Sequence, residues 1–200
     1  MDTEFEVKFY PIDKTEYRKK LEEIGAKLVI PERKMRRMIF DGRFHPEFKC
    51  DYIRVRDEGN TVRISAKIHA QEGGKISDQK EIDIEVNNFE KAVEIFGLMG
   101  LKPDRYQENL RETWEHKEAE ITIDTWPWLG SLTEIEGDSE GKIKEVVQRL
   151  GLAWDKKIIT SVIEIYAKVY NLSADKVLDK MSNLTFENNP FNQRTITDKI

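Results

Sequence analysis

The residues able to do chemistry in this chain recur at every second position. Near the N-terminus Glu4, Glu6 and Lys8 alternate with Phe5, Val7 and Phe9, and a strand sends alternate side chains to opposite faces. The pattern returns with Arg54 and Arg56 against Ile53 and Val55, and with Arg63, Ser65 and Lys67 against Val62, Ile64 and Ala66. Glu81, Asp83 and Glu85 oppose Ile82, Ile84 and Val86. Glu120, Thr122 and Asp124 oppose Ile121 and Ile123, and Glu134 and Glu136 oppose Ile135. A sheet with one face in water also alternates. Here, however, the polar positions are almost all ionisable, and they are sorted by strand. Arg and Lys occupy two central strands; carboxylates occupy the first, the middle and the last pairs. Carboxylate oxygens bind hard divalent cations, and guanidinium forks grip phosphate. Side by side they suit a polyphosphate held with Mg2+ or Mn2+.

About eight strands with helices between groups of them predict an α+β fold on a large antiparallel sheet. Eight strands can close into an antiparallel β-barrel, which removes the sheet's edges. With the apolar face outward under helices, the charges line a tunnel. Unpaired buried charges cost several kcal/mol each, so that interior must be wet, internally paired and occupied by a ligand.

The helices have readable ends. Asp13 caps the first, with Glu16 three residues on, Tyr17, Leu21 and Ile24 on one face and Gly25 as the stop. KLVIPERKMRRMIFDG reads as a strand, a break at Pro31 and a second strand ending near Asp41, followed by a loop. Asn87 or Asn88 caps FEKAVEIFGLM, which ends at Gly100. Asp138 opens the third helix and Gly151 closes it, and a fourth runs from Ile158 to about Asn171. Residues 1–170 then form one domain. Residues 171–200 read as a short helix capped by Ser173 and a polar C-terminal tail.

Taken in order, these residues resemble the CYTH family, the triphosphate tunnel metalloenzymes. The family's E-x-E-x-K signature is Glu4-Phe5-Glu6-Val7-Lys8. A helix ending at Leu21 to Ala26 follows, then R-x-R at Arg54 and Arg56, a strand lysine at Lys67 and an acidic strand at Glu81, Asp83 and Glu85. Arg111, Asp124 before the turn at Gly130, and E-x-E at Glu134 and Glu136 complete the series over about residues 1–170. The resemblance implies an eight-stranded tunnel, a small-molecule triphosphate substrate and Mg2+ or Mn2+. Carried over, Glu4, Glu6, Glu134 and Glu136 are metal ligands with Asp124 close by. Arg54, Arg56, Arg63, Lys67 and Arg111 hold phosphates. Lys8 touches the terminal phosphate or helps activate the attacking water, and Glu81, Asp83 and Glu85 orient water or cation. Two features depart from the family. Asn109 and Leu110 stand where a lysine often precedes the arginine, so that one phosphate contact is either missing or supplied by Arg63 or Arg105, and Asp83 is one methylene shorter than the frequent Glu. The implied activity is metal-dependent hydrolysis of tripolyphosphate or a small organic triphosphate. The alternatives are a class IV-type adenylate cyclase and a non-catalytic polyphosphate-binding module.

What lies beyond the phosphates decides among these. Trp126 and Trp128, flanking Pro127, either stack on an organic group or pack beneath a helix. His45, His69 and His116 have no ligand spacing, and Cys50, the single cysteine, cannot form an intramolecular disulfide. Lys+Arg 33 against Asp+Glu 38 gives a net charge of -5, which disfavours a nucleic-acid polymer as partner. No apolar run approaches the roughly 18 residues of a membrane span, and the acidic N-terminus is no secretory signal. A cytoplasmic protein, monomer or homodimer, is expected.

Overall fold

The structure, a computed structural model, describes residues 1–70, 73–117 and 119–191. Its sheet begins with β1 (Asp2–Thr3), β2 (Phe5–Phe9), β3 (Lys27–Asp41), β4 (Tyr52–Asp57) and β5 (Val62–Ile68). It continues with β6 (Lys80–Val86), β7 (Arg105–His116), β8 (Ala119–Trp126) and β9 (Gly130–Gly137). Hydrogen bonding runs β1-β6-β5-β4-β3-β7-β8-β9-β2, antiparallel throughout. The first and last members are consecutive pieces of one N-terminal run, so the sheet nearly closes on itself. Asp2 and Thr3 pair with Glu81 and Lys80, while Glu6 and Lys8 pair with Glu136 and Glu134. The Glu4 N–H donates to the Gln79 carbonyl at 3.1 Å, and Gln79 Nε2 donates to the Glu6 carbonyl at 2.9 Å, stitching the seam. The expected eight staves are β2 to β9; β1 and β10 (Asn183–Leu184) add two short segments.

The outward apolar positions explain the helix placement. Val7, Phe9, Ile121, Ile123 and Ile135 meet Tyr17 and Leu21 of α1 (Lys14–Glu23) and Ile143 and Val147 of α3 (Glu140–Arg149) in one core. Phe40 and Val55 are covered by Phe89 and Ala92 of α2 (Phe89–Leu98). Trp126, Leu129 and Leu132 pack with Ile165 and Tyr166 of α4 (Val162–Tyr170) and Val177 of α5 (Ala174–Lys180). The cover is not complete. On β6 the outward Ile82 and Ile84 stay exposed, so the expectation of helices over the whole apolar face holds only in part.

The first helix begins at its foreseen cap, where Asp13 accepts from the Glu16 N–H at 2.9 Å. It stops where Gly25 turns at φ +82, a conformation costly for any residue with a Cβ. Three boundaries differ from expectation. Ser139, not Asp138, caps α3; Asp138 instead pairs with Lys142 at 2.8 Å. The fourth helix starts at Val162, because Ile158 exchanges backbone hydrogen bonds with Lys8 at 2.8 and 2.9 Å. Finally, β3 runs through Pro31 unbroken. It bonds only β7 there, since β4 joins from Arg36 onward, and a register shift between Ile30 and Arg33 spans the proline, as suits a residue without an N–H.

After α5, capped by Ser173 as foreseen, Met181, Leu184 and Phe191 are buried. Phe191 stacks on Tyr170 with ring centroids 4.3 Å apart. The end of the expected polar tail, residues 192–200, lies outside the described residues. Among the described residues no helix is long and apolar enough to cross a membrane. Leu21 is fully buried and Leu98 is 83% exposed. Leu21→Ala is therefore expected to cost about 2–5 kcal/mol in urea unfolding, and Leu98→Ala no more than about 0.5 kcal/mol.

Candidate active site

The second face of every stave points into a cavity of about 910 Å³. Glu4, Glu6 and Lys8 reach it from the N-terminal run, Arg54 and Arg56 from β4, Arg63 and Lys67 from β5, and Glu81 and Asp83 from β6. Arg111, Glu134 and Glu136 reach it from β7 and β9. The alternation read from the sequence thus becomes one charged lining, divided into two regions.

One region is acidic. Glu4, Glu6 and Glu136 bring carboxylate oxygens within 4.8 Å of one another. Burial, then the nearby carboxylates of Glu4 and Glu120, pushes Glu136 up to about 7. Burial likewise raises Glu4, against the attraction of Lys67. Glu136 remains accessible, so solvent screens part of this effect; the direction stands on the repulsion among these acids. Oxygen ligands at this spacing whose negative charge is under-compensated are what a hard divalent cation requires. Lys67 stands beside them, 2.6 Å from Glu4, 3.3 Å from Glu6 and 3.5 Å from Glu81. Burial opposes its charge, but Glu4 and Glu81 outweigh it and hold Lys67 up to about 12.

The other region is cationic, and its members differ in how well they are paired. Arg111 is satisfied: it donates to Asp124 at 2.8 and 2.5 Å and also pairs with Glu134. Arg54 donates to Glu81 at 3.0 Å, and Arg56 to Glu58 at 2.7 Å. Arg37 is bonded differently: it donates to the Asn109 side-chain oxygen and lies over the Trp126 ring at 4.7 Å. Burial, then Arg54, Arg56 and Arg111, pushes Arg37 down to about 9, and burial with Arg54 and Arg111 pushes Arg56 down to about 10. A guanidinium stays protonated at neutral pH, so these shifts mark cations short of negative charge. Arg37 Nε, Arg54 Nε and Arg33 Nη1 are buried without a hydrogen-bond partner. Forked donors left open in a cation-rich wall fit an oxyanion ligand.

The remaining sequence candidates take varied places. Asp124 is fully buried behind Arg111, bonded also by Asn109 at 2.5 Å, and lies outside the acidic cluster. Glu134 sits with Arg111 and, at 3.8 Å, Lys8. Lys8 pairs with Glu6, and burial lowers its pKa. Arg63 holds Asp83 at 2.6 Å and Glu85 at 3.0 Å; Glu85 is exposed and does not line the cavity. Trp126 lines the cavity and meets Tyr166 edge-on at 6.5 Å. Trp128 does not line it, and its N–H donates to the Thr185 and Asn188 carbonyls, both at 2.9 Å. Arg105 pairs with Asp41 at 2.6 Å.

Sequence reasoning misses Arg33, Arg37 and Glu58 as site residues and gives Glu120 a place on the charged face but no role; all four line the cavity. The first two lie on β3, where the apparent break at Pro31 hides the strand's phase. Counting back by twos from Asp41 reaches Ile39, Arg37, Met35 and Arg33, and that signal is present in the sequence.

The model of the CYTH domain matches residues 2–159. The chain belongs to the CYTH family. Proteins of this family depend on divalent metals and bind triphosphate substrates, and the two regions of the tunnel match those two ligands. A Methanocaldococcus jannaschii protein, provisionally named an adenylate cyclase, is 25% identical over 180 residues, 88% of this chain and 94% of its own. The PH1012 protein of Pyrococcus horikoshii shares the fold at a TM-score of 0.67 with 23% identity, covering 80% of this chain and 98% of that one. The adenylyl cyclase-like HpAC1 of Hippeastrum, described as having a dominant triphosphatase activity, aligns at a TM-score of 0.53 with 14% identity. That alignment covers 86% of this chain and 97% of that one. At these identities the two structures bear on the fold alone.

The CYTH tunnel keeps Arg37 at a cost in the ligand-free protein. Arg37→Met should leave the melting temperature unchanged or higher without ligand, while the rise that tripolyphosphate gives the wild type should shrink by at least half. A differential scanning fluorimetry series over tripolyphosphate concentration reads both.

Proposed function

We propose that this chain is a metal-dependent triphosphatase, hydrolysing inorganic tripolyphosphate or a small organic triphosphate with Mg2+ or Mn2+. The observation that carries this reading is the acidic cluster of Glu4, Glu6 and Glu136 beside cations left short of negative charge. In phosphoryl transfer the protein's contribution is mainly to position the reactants and to neutralise spread charge. Arg37, Arg54 and Arg56 hold the phosphate chain through guanidinium forks, with Arg111 fixed beside them by Asp124. Lys8, at the junction of the two regions, donates to an oxygen of the terminal phosphate. Glu4, Glu6 and Glu136, with Glu134 near, hold the divalent ion. When bound, that ion neutralises phosphate oxygens and makes a water more acidic. In-line attack by water on the terminal phosphorus forms one P–O bond and breaks the bridging one, with the shortened polyphosphate leaving.

The name of the Methanocaldococcus relative favours a second reading, cyclisation of ATP. There the ribose 3′-oxygen attacks the α-phosphorus and pyrophosphate departs. The same cations and acids serve both reactions, so the products decide between them. Tripolyphosphate, thiamine triphosphate, ATP and GTP are incubated with Mg2+ or Mn2+ and followed by phosphorus NMR. The hydrolase gives orthophosphate from at least one substrate; the cyclase gives pyrophosphate and cyclic AMP from ATP alone. Glu4→Gln and Glu136→Gln should each lower turnover at least a hundredfold in folded protein. Undiminished turnover in both would contradict the assigned metal site.

A further inference from the structure

We propose that the outer face formed by β6 and the end of α2 joins two copies of this chain, the α2 end of each lying on the bare sheet of the other. The proposal is independent of the chemistry inside the tunnel. Ten large apolar side chains are exposed among the described residues, and six of them lie here. They are Ile82 and Ile84 on β6, Ile95 and Leu98 on α2, Met99 at its end, and Met1 just before β1. Each is between 48% and 83% exposed, so none is a core residue with incomplete cover. Together they present on the order of 600 Å², at the top of what a monomer leaves in water. With a polar rim such a face reaches the roughly 800 Å² per partner of a stable complex.

Contacts of Arg36 show how these residues come together. Arg36, on β3, lies over the Phe89 ring at 4.4 Å and pairs with Glu90 at 2.8 Å, which turns the Glu90 flank of α2 toward β3. At 3.6 residues per turn Ile95 and Met99 fall on the opposite flank, toward β5 and β6. There the sheet lacks cover. Ile84 pairs with Ile64 and Ile82 with Ala66; the two β6 side chains are exposed and the two β5 side chains only half-buried. The face therefore has two halves, a ridge at the end of α2 and a shallow apolar trough over β5 and β6.

This face is complementary to itself. A two-fold axis between the halves seats the ridge of each copy in the trough of the other, the geometry of an isologous interface. The rims carry opposite charge. Lys91, one turn before Ile95, and Lys102, beyond Met99, edge the ridge. Asp83 and Glu85 edge the trough, with one of their two charges offset by Arg63, while Lys80 on the same strand is engaged by Thr3. The same carboxylates disfavour the other way of joining two copies. Beyond Glu81, β6 is bonded to β5 alone, an open edge of the kind that accepts a strand. Pairing two such edges would set like carboxylates opposite one another, so the copies meet face to face.

Sedimentation equilibrium of the full chain tests this. The wild type should dimerise with a dissociation constant of about 10 µM or tighter. Leu98→Lys and Ile84→Glu, both at exposed positions, should each weaken the dimer at least tenfold in protein with an unchanged circular dichroism spectrum. An equimolar mixture of the two variants should dimerise at least ten times more tightly than either alone. In the mixed dimer one ridge-to-trough contact is the wild-type pair of Leu98 with Ile84, and the other brings opposite charges together. A wild type that stays monomeric at that concentration overturns the proposal and leaves the face to a different protein or to a lipid surface. A dimer indifferent to both substitutions overturns it as well, as do variants weakened alone and not rescued by mixing. None of these outcomes bears on the triphosphate reading.

Discussion

Charge confined within a nearly closed barrel is the constraint on which the structure depends. Closing the sheet removes exposed edges but carries one whole face of ionisable side chains away from bulk water. Such charges persist only where each meets a counter-charge, a hydrogen bond or a bound ion. Lys67 among Glu4, Glu6 and Glu81, and Arg111 between Asp124 and Glu134, are internally compensated. Glu136 on one side and Arg37 on the other are not. The imbalance has opposite sign in the two places, so one cation and one polyanion together relieve it, and neither does so alone.

Outside the barrel the same alternation does the ordinary work of folding. Val7, Ile121 and Ile135 go outward because Glu6, Glu120 and Glu136 go inward, and α1 and α3 settle on the apolar face that results. Function and stability are thus written on alternate residues of the same strands. A one-residue slip of register would exchange them completely. The seam at Glu4 and Gln79 matters for this reason: it fixes the register of the N-terminal run, which carries three of the site's charges.

Much of this was legible in the sequence, because a period of two sorts side chains by face without knowledge of strand order. The staves and the inward set Glu4, Glu6, Lys8, Arg54, Arg56 and Lys67 follow from that period, and the helix caps at Asp13 and Ser173 from their residue types. What escaped depends on neighbours distant in sequence. Pro31 looks like a break because nothing local shows that β3 has only one bonded partner there, and with that strand's phase went Arg33 and Arg37. Asp124 has the right phase, yet Arg111 and Asn109 engage it, and that arrangement comes from pairing between β7 and β8. Beyond the Ser173-capped helix the C-terminal stretch looks like a plain polar tail in sequence, because it contributes single anchors, Met181, Leu184 and Phe191, at spacings set by the surface they cover.

The central claim is that both imbalances belong to one metal–triphosphate complex. A crystal grown with tripolyphosphate and Mn2+, measured by anomalous diffraction at the manganese edge, addresses it directly. The expected result is a manganese peak bounded by Glu4, Glu6 and Glu136, with phosphate density continuing to Arg37, Arg54 and Arg56. Manganese bound elsewhere with the acidic cluster empty, or tripolyphosphate found only outside the barrel, would contradict the account.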